Sequence, residues 1–374
     1  MIRLAIPSIE EDDLQAVRET LASGFLVQGP RVAAFEQTVA DYVGTKHAVA
    51  VTNCTAALFL ALLALEVGPG DSVAVTTYSW PATANVIALC GAEPVFVEIE
   101  PGTFNMDPNA LAETMRRTTV KAILPVHTFG GIADMSSITK IAEQYGVPVI
   151  EDAACALGAE VEGRRAGTWG LMGCFSFHPR KAITTGEGGI VTTDDATLVR
   201  RLRMLRNHGQ DPEAPSPDFV LPGHNMRLTE FQAALGNTQM QKVERIIASR
   251  RAQAARYDKL FESTEISPSH ALPGSRHVYQ SYVALLPQKV SARRSEIIAA
   301  LKAQGIETTI GTYHLPLTTY FRSSGGYAIG DFPVTDDVAA RAISLPLFEA
   351  LTMAQQEQVT AELLQLVKAQ EVFA

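Results

Sequence analysis

The sequence is poor in cysteine, and its four cysteines are too scattered to define a metal or disulfide framework. They are Cys54, Cys90, Cys155 and Cys174. No two of them have the CxxC spacing that is typical of zinc sites and redox motifs. The sequence therefore gives no indication of a bound metal ion or of a fold that depends on disulfide bonds.

Long apolar runs and an excess of positive charge are also missing. No uninterrupted apolar run reaches the roughly 18 residues of a membrane span. The formal net charge is −9, which argues against a nucleic-acid-binding surface, although not against a local basic pocket. Residues 1–14 contain acids where a signal peptide would need an apolar core. We therefore expect a soluble, cytoplasmic protein that has no nucleic-acid or membrane partner.

What the chain does contain is a regular alternation of predicted strands and helices. At 374 residues, 47% hydrophobic and 19% charged, it has a globular composition and room for about two domains. The strand patterns cover residues 47–52, 72–77, 94–99, 121–127, 147–150, 172–177 and 190–193. The helical patterns cover residues 9–23, 31–42, 56–65, 82–89, 109–115, 138–145 and 195–206. Near-continuous apolar strands alternating with helices indicate a mostly parallel sheet covered on both faces.

The last third has a different pattern. A helix over 229–261 is predicted to connect a large domain, residues 1–245, to a smaller one, residues 246–374. Strands over 278–286 and 307–312 and helices over 292–304 and 353–369 follow. The predicted fold class is therefore α/β, with a mostly parallel mixed sheet sandwiched by helices and a smaller α+β C-terminal domain.

Lys181 is the candidate nucleophile. It follows Pro179 in the connection between two predicted strands, and a glycine-rich segment comes after it. A lysine held between two strands among small residues is expected to be partly desolvated. Desolvation lowers the pKa of a lysine and frees the neutral amine to attack a carbonyl group. The alternative is a surface lysine in a hairpin loop.

Other candidate residues lie at the carboxyl ends of predicted strands, where parallel sheets bind their ligands. Trp80 and Asp152 each follow a strand, and Ser176 lies in the strand that leads to Lys181. Taken singly, Trp80 is equally compatible with a core or interface aromatic. Asp152 is equally compatible with the N-cap of a helix over 153–157.

Asn53 and Thr55 are good N-cap residues for the helix over 56–65, which directly follows the first strand. The N-terminus of that helix would point free backbone N–H groups at an anion. A pyridoxal phosphate (PLP) enzyme needs a lysine, an acid for the pyridine nitrogen, an aromatic face for the ring and donors for the phosphate. Lys181, Asp152 and Trp80 would supply the first three. Cys54, Thr55 and Ser176 would hold the phosphate.

Short motifs spread along nearly the whole chain resemble those of one enzyme family. They are residues 53–58 (NCTAAL), 68–71 (GPGD), 91–97 (GAEPVFV), 125–127 (PVH), 151–154 (EDAA), 175–177 (FSF), Lys181, 186–189 (GEGG), 207–209 (NHG), 223–227 (GHNMR), 313–316 (YHLP) and 344–346 (SLP). Each motif is weak alone, but the order and spacing are specific. The chain is similar to the DegT/StrS family of PLP-dependent sugar aminotransferases. This resemblance implies the aspartate aminotransferase fold, fold type I.

The resemblance also implies a role for individual residues. Lys181 would bind PLP covalently and then move a proton between the reacting carbons as general base and acid. Asp152 would pair with the pyridinium nitrogen, and Trp80 would stack on the ring. Asn225 matches a family asparagine that reaches the phosphate of the neighbouring subunit. We therefore expect a homodimer with its active sites at the interface.

Two residues depart from the family pattern. Cys54 replaces the usual glycine of the phosphate turn, which is tolerable if its backbone φ is negative. Cys155 follows Asp-Ala-Ala, where the family often has glutamine or histidine near the phenolic oxygen of the cofactor. The hydrogen bond at that oxygen is expected to be weaker or absent, and Cys155 is expected to act as a small hydrophobe.

The implied reaction is a ping-pong transamination. Glutamate or glutamine would convert PLP to its amine form, PMP, and the ketone of a nucleotide-linked ketosugar would then accept the amino group. The product would be an amino sugar for a cell-surface polysaccharide or an antibiotic. Tyr313, His314 and Arg227 are the candidate substrate contacts.

Three alternatives remain open at this point. One is transamination of a free cyclitol ketone such as an inosose. Another is PLP-dependent dehydration of a sugar, which the presence of Lys181 disfavours because those relatives commonly carry histidine there. The third is a non-catalytic regulatory protein of the same fold, which the presence of both Lys181 and Asp152 disfavours.

Overall fold

The computed structural model describes residues 1–368, and its helices and strands are numbered here in chain order. The helices are α1 (Glu11–Ser23), α2 (Pro30–Val43), α3 (Cys54–Ala64), α4 (Ala82–Leu89), α5 (Pro108–Arg117), α6 (Met135–Tyr145), α7 (Ala196–Arg206), α8 (Glu230–Met240), α9 (Val243–Phe261), α10 (Arg294–Ala303), α11 (Thr319–Gly325), α12 (Pro333–Arg341) and α13 (Met353–Lys368). The strands are β1 (His47–Val51), β2 (Ser72–Thr76), β3 (Tyr78–Ser79), β4 (Glu93–Val97), β5 (Ala122–Leu124), β6 (Ile150–Asp152), β7 (Glu160–Val161), β8 (Arg164–Arg165), β9 (Met172–Ser176), β10 (Gly189–Thr193), β11 (Ser267–Pro268), β12 (Tyr282–Leu285), β13 (Thr309–Ile310), β14 (Tyr313–His314) and β15 (Ala342–Leu345).

The central sheet has the strand order β4-β2-β5-β6-β9-β10-β1. Its two halves, β4-β2-β5 and β6-β9-β10-β1, are joined by parallel bridges from Ile123 to Val149 and from Val126 to Asp152. Strand β10 is antiparallel to both of its neighbours, β9 and β1, and the other pairings are parallel. The predicted mostly parallel mixed sheet is therefore confirmed.

Both faces of this sheet are buried, as the near-continuous apolar strands predict. Side chains alternate between the two faces of a strand. In β1, Ala48 and Ala50 pack into one core cluster, whereas Val49 and Val51 pack into the other. Because each face needs apolar residues, the strand reads as an unbroken apolar run, and helices cover the sheet on both sides.

The predicted single helix over 229–261 is wrong, because the chain forms α8 and α9 with a break at Gln241 and Lys242. The amide of Lys242 bonds to the carbonyl of Gln239, which tightens the last turn. Its ammonium group donates to Asp12 at 2.6 Å and to Asp13 at 2.7 Å, both on α1. This long-range contact accompanies the break, and a helical pattern alone cannot reveal it.

The C-terminal part contains a second sheet with the order β11-β12-β15-β13. The predicted strand over 278–286 is shorter in the structure, because the amides of Val278 and Ser281 bond to the carbonyls of Gly130 and Phe129 instead of a strand. The strand predicted over 307–312 shortens to β13. The predicted end of the last helix, Ala369, lies outside the described residues. Within residues 1–368, no helix combines the length and the apolar character needed to cross a membrane.

Candidate active site

The N-terminus of α3 is the first element of the candidate site. The Asn53 side chain accepts from the amide of Ala56 at 2.9 Å and so caps the helix. The amides of Cys54 and Thr55, in the first helical turn, have no acceptor within the helix. Cys54 is buried and has a helical backbone with negative φ, so the substitution of the family glycine is tolerated as predicted. An exposed helix N-terminus of this kind favours an anion.

Gly189, the first residue of β10, lets this helix start sit directly against the sheet. A Cβ atom on Gly189 would lie 2.6 Å from the backbone nitrogen of Cys54 and closer still to the backbone of Asn53. No side chain fits in that space. Gly189 pairs with Ser176 at the end of β9, so Ser176 lies across the strand pair from the α3 N-terminus. The structure thus brings Ser176 close to Cys54 and Thr55.

Asp152 lies at the end of β6 and is buried, with 4% exposure. Its carboxylate accepts from the Thr83 hydroxyl at 2.8 Å and from the amide of Ala154 at 3.2 Å. Burial raises the pKa of Asp152, and these hydrogen bonds and the charge of Lys181 offset that effect only in part. The alternative role as the N-cap of a helix over 153–157 is wrong, because that segment forms turns.

The Nζ atom of Lys181 lies 3.1 Å from the Sγ atom of Cys155. Lys181 is partly exposed, in the loop between β9 and β10. Burial alone would lower the pKa of Lys181, as the sequence predicted. The adjacent Cys155, together with Cys54 and Asp152, outweighs burial, so the pKa of Lys181 is raised. The expectation of a lowered pKa for Lys181 is therefore wrong. Cys155 is also not the small hydrophobe that the sequence predicted, because its thiol is a polar partner of the lysine.

Sequence reasoning missed two hydroxyl groups that support Asp152. Ser79, Thr83 and Asp152 form a chain of hydrogen bonds, since the Ser79 and Thr83 hydroxyls are 2.8 Å apart. Both hydroxyl residues are buried. The available signal in the sequence was that Ser79 and Thr83 are four positions apart and that Trp80 lies between them. Hydroxyl residues at such a spacing are too common to be singled out without the structure.

The neighbouring pair His127 and Glu151 was present in the motifs but was given no role. His127 Nε2 is 2.8 Å from Glu151, and both side chains are fully buried. Since Nδ1 of His127 accepts from the amide of Ala133, Nε2 carries the proton and donates it to Glu151. Glu151 also accepts from the amides of Gly167, Trp169 and Gly170. The pair therefore fixes β6 and, through it, Asp152.

Trp80 lies beside the site and is not a core residue, since it is 62% exposed. It follows β3, which pairs with β14 of the C-terminal part. Tyr313 on β14 contacts Trp80 edge to face, with 5.4 Å between the ring centroids. His314, by contrast, is turned inward, with its Nε2 atom 3.1 Å from Asp336. Of the predicted substrate contacts on β14, Tyr313 is the exposed one.

Asn225 and Arg227 lie on a segment that extends the sheet beside the end of β1. Arg227 bridges to Val51, and the amide of Thr52 bonds to the carbonyl of Met226. The Arg227 guanidinium donates to the Asn207 side chain at 2.5 Å. Asn225 is exposed. Both residues are thus next to the turn that leads into α3, and Arg227 is already engaged within its own chain.

The chemistry of these groups fits PLP. An amine, a buried carboxylate and a free helix N-terminus are the groups that its aldehyde, ring nitrogen and phosphate require. Cys54 lies within electrostatic range of both Asp152 and Lys181, so the three groups belong to one neighbourhood. In the described part of the chain, no group of three or more histidine, cysteine, aspartate or glutamate residues is placed to hold a metal ion.

Fold and site together define a PLP-dependent aminotransferase of fold type I, and comparison with known proteins agrees. The chain belongs to the DegT/DnrJ/EryC1/StrS aminotransferase family, whose model matches residues 7–364. It is 37% identical to the spore coat polysaccharide biosynthesis protein SpsC of Bacillus subtilis, over 97% of this chain and 96% of that protein. The resemblance inferred from the sequence motifs is therefore confirmed.

Solved structures give the same result. Helicobacter pylori PseC, an aminotransferase of pseudaminic acid biosynthesis, superimposes with a TM-score of 0.93 at 28% identity, over 98% of this chain and 99% of that one. The putative sugar aminotransferase Spr1654 of Streptococcus pneumoniae, in its PMP form, gives 0.94 at 27% identity, over 100% of this chain and 99% of that one. Spr1654 is also solved in its PLP form. The predicted enzyme class and cofactor are confirmed.

Proposed function

We propose that this enzyme transfers the amino group of glutamate or glutamine to the ketone of a nucleotide-linked ketosugar, giving an amino sugar. The observation that carries the proposal is the electrostatic proximity of Lys181 to the buried carboxylate of Asp152. The exposed rings of Trp80 and Tyr313 contact each other close by, since Trp80 lies in the chain between Ser79 and Thr83, which are hydrogen-bonded to Asp152. The relatives SpsC, PseC and Spr1654 are described as polysaccharide or sugar-pathway proteins. Their descriptions support a sugar acceptor.

The proposal assigns each residue a task. When bound, PLP supplies an aldehyde that takes up the amino group and a protonated ring that withdraws electrons from the reacting carbon. Lys181 would hold the cofactor covalently through its aldehyde carbon. When released from the cofactor, its Nζ atom would move a proton between the two reacting carbons. Asp152 keeps the proton on the ring nitrogen, and its burial strengthens that interaction.

The remaining groups bind and orient. The amides of Cys54 and Thr55 and the hydroxyl of Ser176 would hold the phosphate, and Trp80 would provide an aromatic face for the ring. Tyr313, whose ring contacts Trp80, would contact the acceptor.

We also propose that the chain divides into two domains within α9, near residue 245. Val243 and Ile246 pack into a core under the central sheet, whereas Tyr257 packs with the C-terminal sheet.

We further propose a cytoplasmic homodimer in which Asn225 of each subunit reaches the phosphate of the other. Asn225 is exposed in the chain. A second exposed feature is the apolar stretch of Phe25, Leu26 and Val27, with 64%, 40% and 49% exposure. Val27 bridges to Thr229, close in sequence to Asn225. A second copy covering this surface would bury both features.

A spectroscopic half-reaction experiment tests the transfer. The PLP-loaded protein should lose its long-wavelength absorption on addition of L-glutamate or L-glutamine. One nucleotide-linked ketosugar should then restore it, whereas a free inosose should not. The Lys181→Ala variant should show neither change, and Lys259→Ala, which replaces an exposed lysine of α9, should behave as the wild type. Restoration by the inosose alone would overturn the acceptor class, and no response to any amino donor would overturn the transfer.

Subunit mixing tests the shared site. Lys181→Ala and Asn225→Ala homodimers should each be impaired. In a mixed dimer, one site carries both substitutions and the other carries neither if Asn225 acts across the interface. Activity should therefore partly return on mixing. No return in dimers shown to have exchanged subunits would place Asn225 in the site of its own chain or outside the site.

A further inference from the structure

Arg250, in the middle of α9, is a buried cation whose hydrogen bonds all go to backbone carbonyls. It is 2% exposed. One terminal nitrogen donates to the carbonyl of Lys181 at 3.1 Å. The other donates to the carbonyls of Gln280 at 2.8 Å and Tyr279 at 3.4 Å. Within residues 1–368 its guanidinium forms no salt bridge, and its Nε atom has no hydrogen-bond partner.

This arrangement is costly. A buried charge is normally paired with an opposite charge, because burial removes it from water. Burial lowers the pKa of Arg250 to about 10, although Glu349 and Cys155 oppose the shift. An apolar side chain could fill the same space without that penalty. The guanidinium group presents its N–H donors in a rigid planar fork and can bond carbonyls of two segments in a fixed geometry. These hydrogen bonds are therefore what arginine contributes at this position.

The carbonyls bound by Arg250 belong to two segments that meet at the site. Lys181 lies in the loop between β9 and β10, whereas Tyr279 and Gln280 precede β12. A second contact joins the same segments, since the Gln280 side chain donates to the carbonyl of Arg180 at 3.2 Å. The segment before β12 also bonds to the loop at Phe129 and Gly130. That loop follows His127, whose amide bonds to the carbonyl of Asp152.

We propose that Arg250 is a positioning residue for Lys181: it fixes the Lys181 backbone against Tyr279 and Gln280, and so sets the point from which Nζ reaches the cofactor. The inference rests on the proposed covalent role of Lys181. A lysine side chain is long and flexible, so the position of its backbone limits where its amine can go. Misplacement of a reacting group by about 1 Å costs up to about a hundredfold in rate.

The adjacent residue provides a matched control. Arg251 donates to the carbonyl of His277 at 2.8 Å, in the same segment before β12. It does not contact Lys181. Replacement of Arg251 by glutamine therefore removes an arginine-to-carbonyl contact between the same two elements and leaves the Lys181 backbone held.

The experiment measures how fast PLP becomes covalently attached to Lys181 in apo-protein. Attachment is followed by stopped-flow absorbance and located by borohydride reduction and peptide mapping, and the urea midpoint of each variant is recorded. We expect Arg250→Gln to slow attachment by about tenfold or more. Arg250→Lys, which keeps the charge but not the fork, should recover part of the rate. Arg251→Gln should keep the wild-type rate.

The attachment rates of the Arg250 variants distinguish a positioning role from a purely structural one. A wild-type attachment rate in Arg250→Gln, with a lowered urea midpoint, would overturn the proposal and leave Arg250 a purely structural residue. If Arg250→Gln does not fold, Arg250→Lys decides, because a wild-type rate in that variant overturns the proposal as well. If the wild-type protein carries no borohydride-trapped PLP on Lys181, the proposed function fails instead. That result is read from the wild type alone and is independent of Arg250.

Discussion

The Thr83 hydroxyl donates a 2.8 Å hydrogen bond to the buried carboxylate of Asp152. This bond favours the ionised form of Asp152 and holds its pKa below the value that burial alone would give. Thr83→Val removes the donor, so the pKa of Asp152 should rise further. The acid limb of the kcat–pH profile should then move to higher pH. A lost hydrogen bond to a charged group costs about 1.5–3 kcal/mol, so turnover near neutral pH should fall by at least about tenfold.

Thr83→Ser keeps the hydroxyl and should restore both the rate and the pH profile. Thr20→Val is a control at another buried threonine, whose hydroxyl bonds to the carbonyl of Ala16 in α1. It should leave the profile unchanged. An unaltered acid limb in Thr83→Val would mean that Thr83 does not support the charge on Asp152.

Cys155 should control the pH at which Lys181 reacts. Burial lowers the pKa of Lys181, whereas Cys155 raises it. Cys155→Ala removes the opposing influence, so the pKa of Lys181 should fall and the neutral amine should be available at lower pH. The pH–rate profile for attachment of PLP to the apo-protein should therefore shift toward lower pH. Cys90→Ala, at the end of α4, is the matched control. A profile that stays in place in Cys155→Ala would contradict the role of the thiol.

Gly189→Ala should weaken the phosphate end of the site. The added Cβ atom would collide with the backbone at Asn53 and Cys54, so the start of α3 has to move. Because overpacking costs about 1–3 kcal/mol, the Kd for PLP should rise by about tenfold or more. Gly68→Ala, where nothing lies closer than 4.0 Å, should bind as the wild type does. Unchanged affinity in a folded Gly189→Ala protein would show that the helix start does not hold the phosphate.

Asp13 should make the docking of α1 sensitive to acid. Burial raises the pKa of Asp13, but hydrogen bonds from Lys242, Thr238 and the amide of Glu10 outweigh it and leave the pKa lowered. A carboxyl whose pKa is lower when folded stabilises the protein above its unfolded pKa of about 3.9. That contribution is lost as the pH falls through the folded value.

Thermal unfolding followed from pH 7 down to pH 3 checks this expectation. Asp13→Asn should lower the Tm at neutral pH and flatten its decline in acid. Asp41→Asn, on the exposed side of α2, should follow the wild type at both ends. Equal acid sensitivity in Asp13→Asn and the wild type would assign the loss of stability to other carboxyl groups.

The sequence was sufficient for features that depend on local pattern. Runs such as Val73–Val75 in a strand buried on both faces are visible without coordinates, and ordered motifs located Lys181 and Asp152. It was insufficient where contacts between residues far apart in the sequence determine the local structure or a pKa. Nothing near Lys242 in sequence reveals that Asp12 and Asp13 bind it and that the helix breaks there. The pKa of Lys181 likewise depends on Cys155, a neighbour from another strand end, and sequence reasoning considered only burial.

The pairing of β3 with β14 has a consequence for how such an enzyme acquires new acceptors. Trp80 lies in the short connection between Ser79, at the end of β3, and Thr83, in the first turn of α4. Changes there are therefore expected to disturb Asp152. Tyr313 lies far along the chain from these residues, on β14, where it pairs with Ser79 and contacts the Trp80 ring. Its side chain takes no part in the hydrogen bonds between Ser79, Thr83 and Asp152. Substitutions of the Tyr313 side chain would thus change the surface beside Trp80 and leave the hydrogen bonds to Asp152 in place. Laboratory evolution toward another acceptor has its best starting point there.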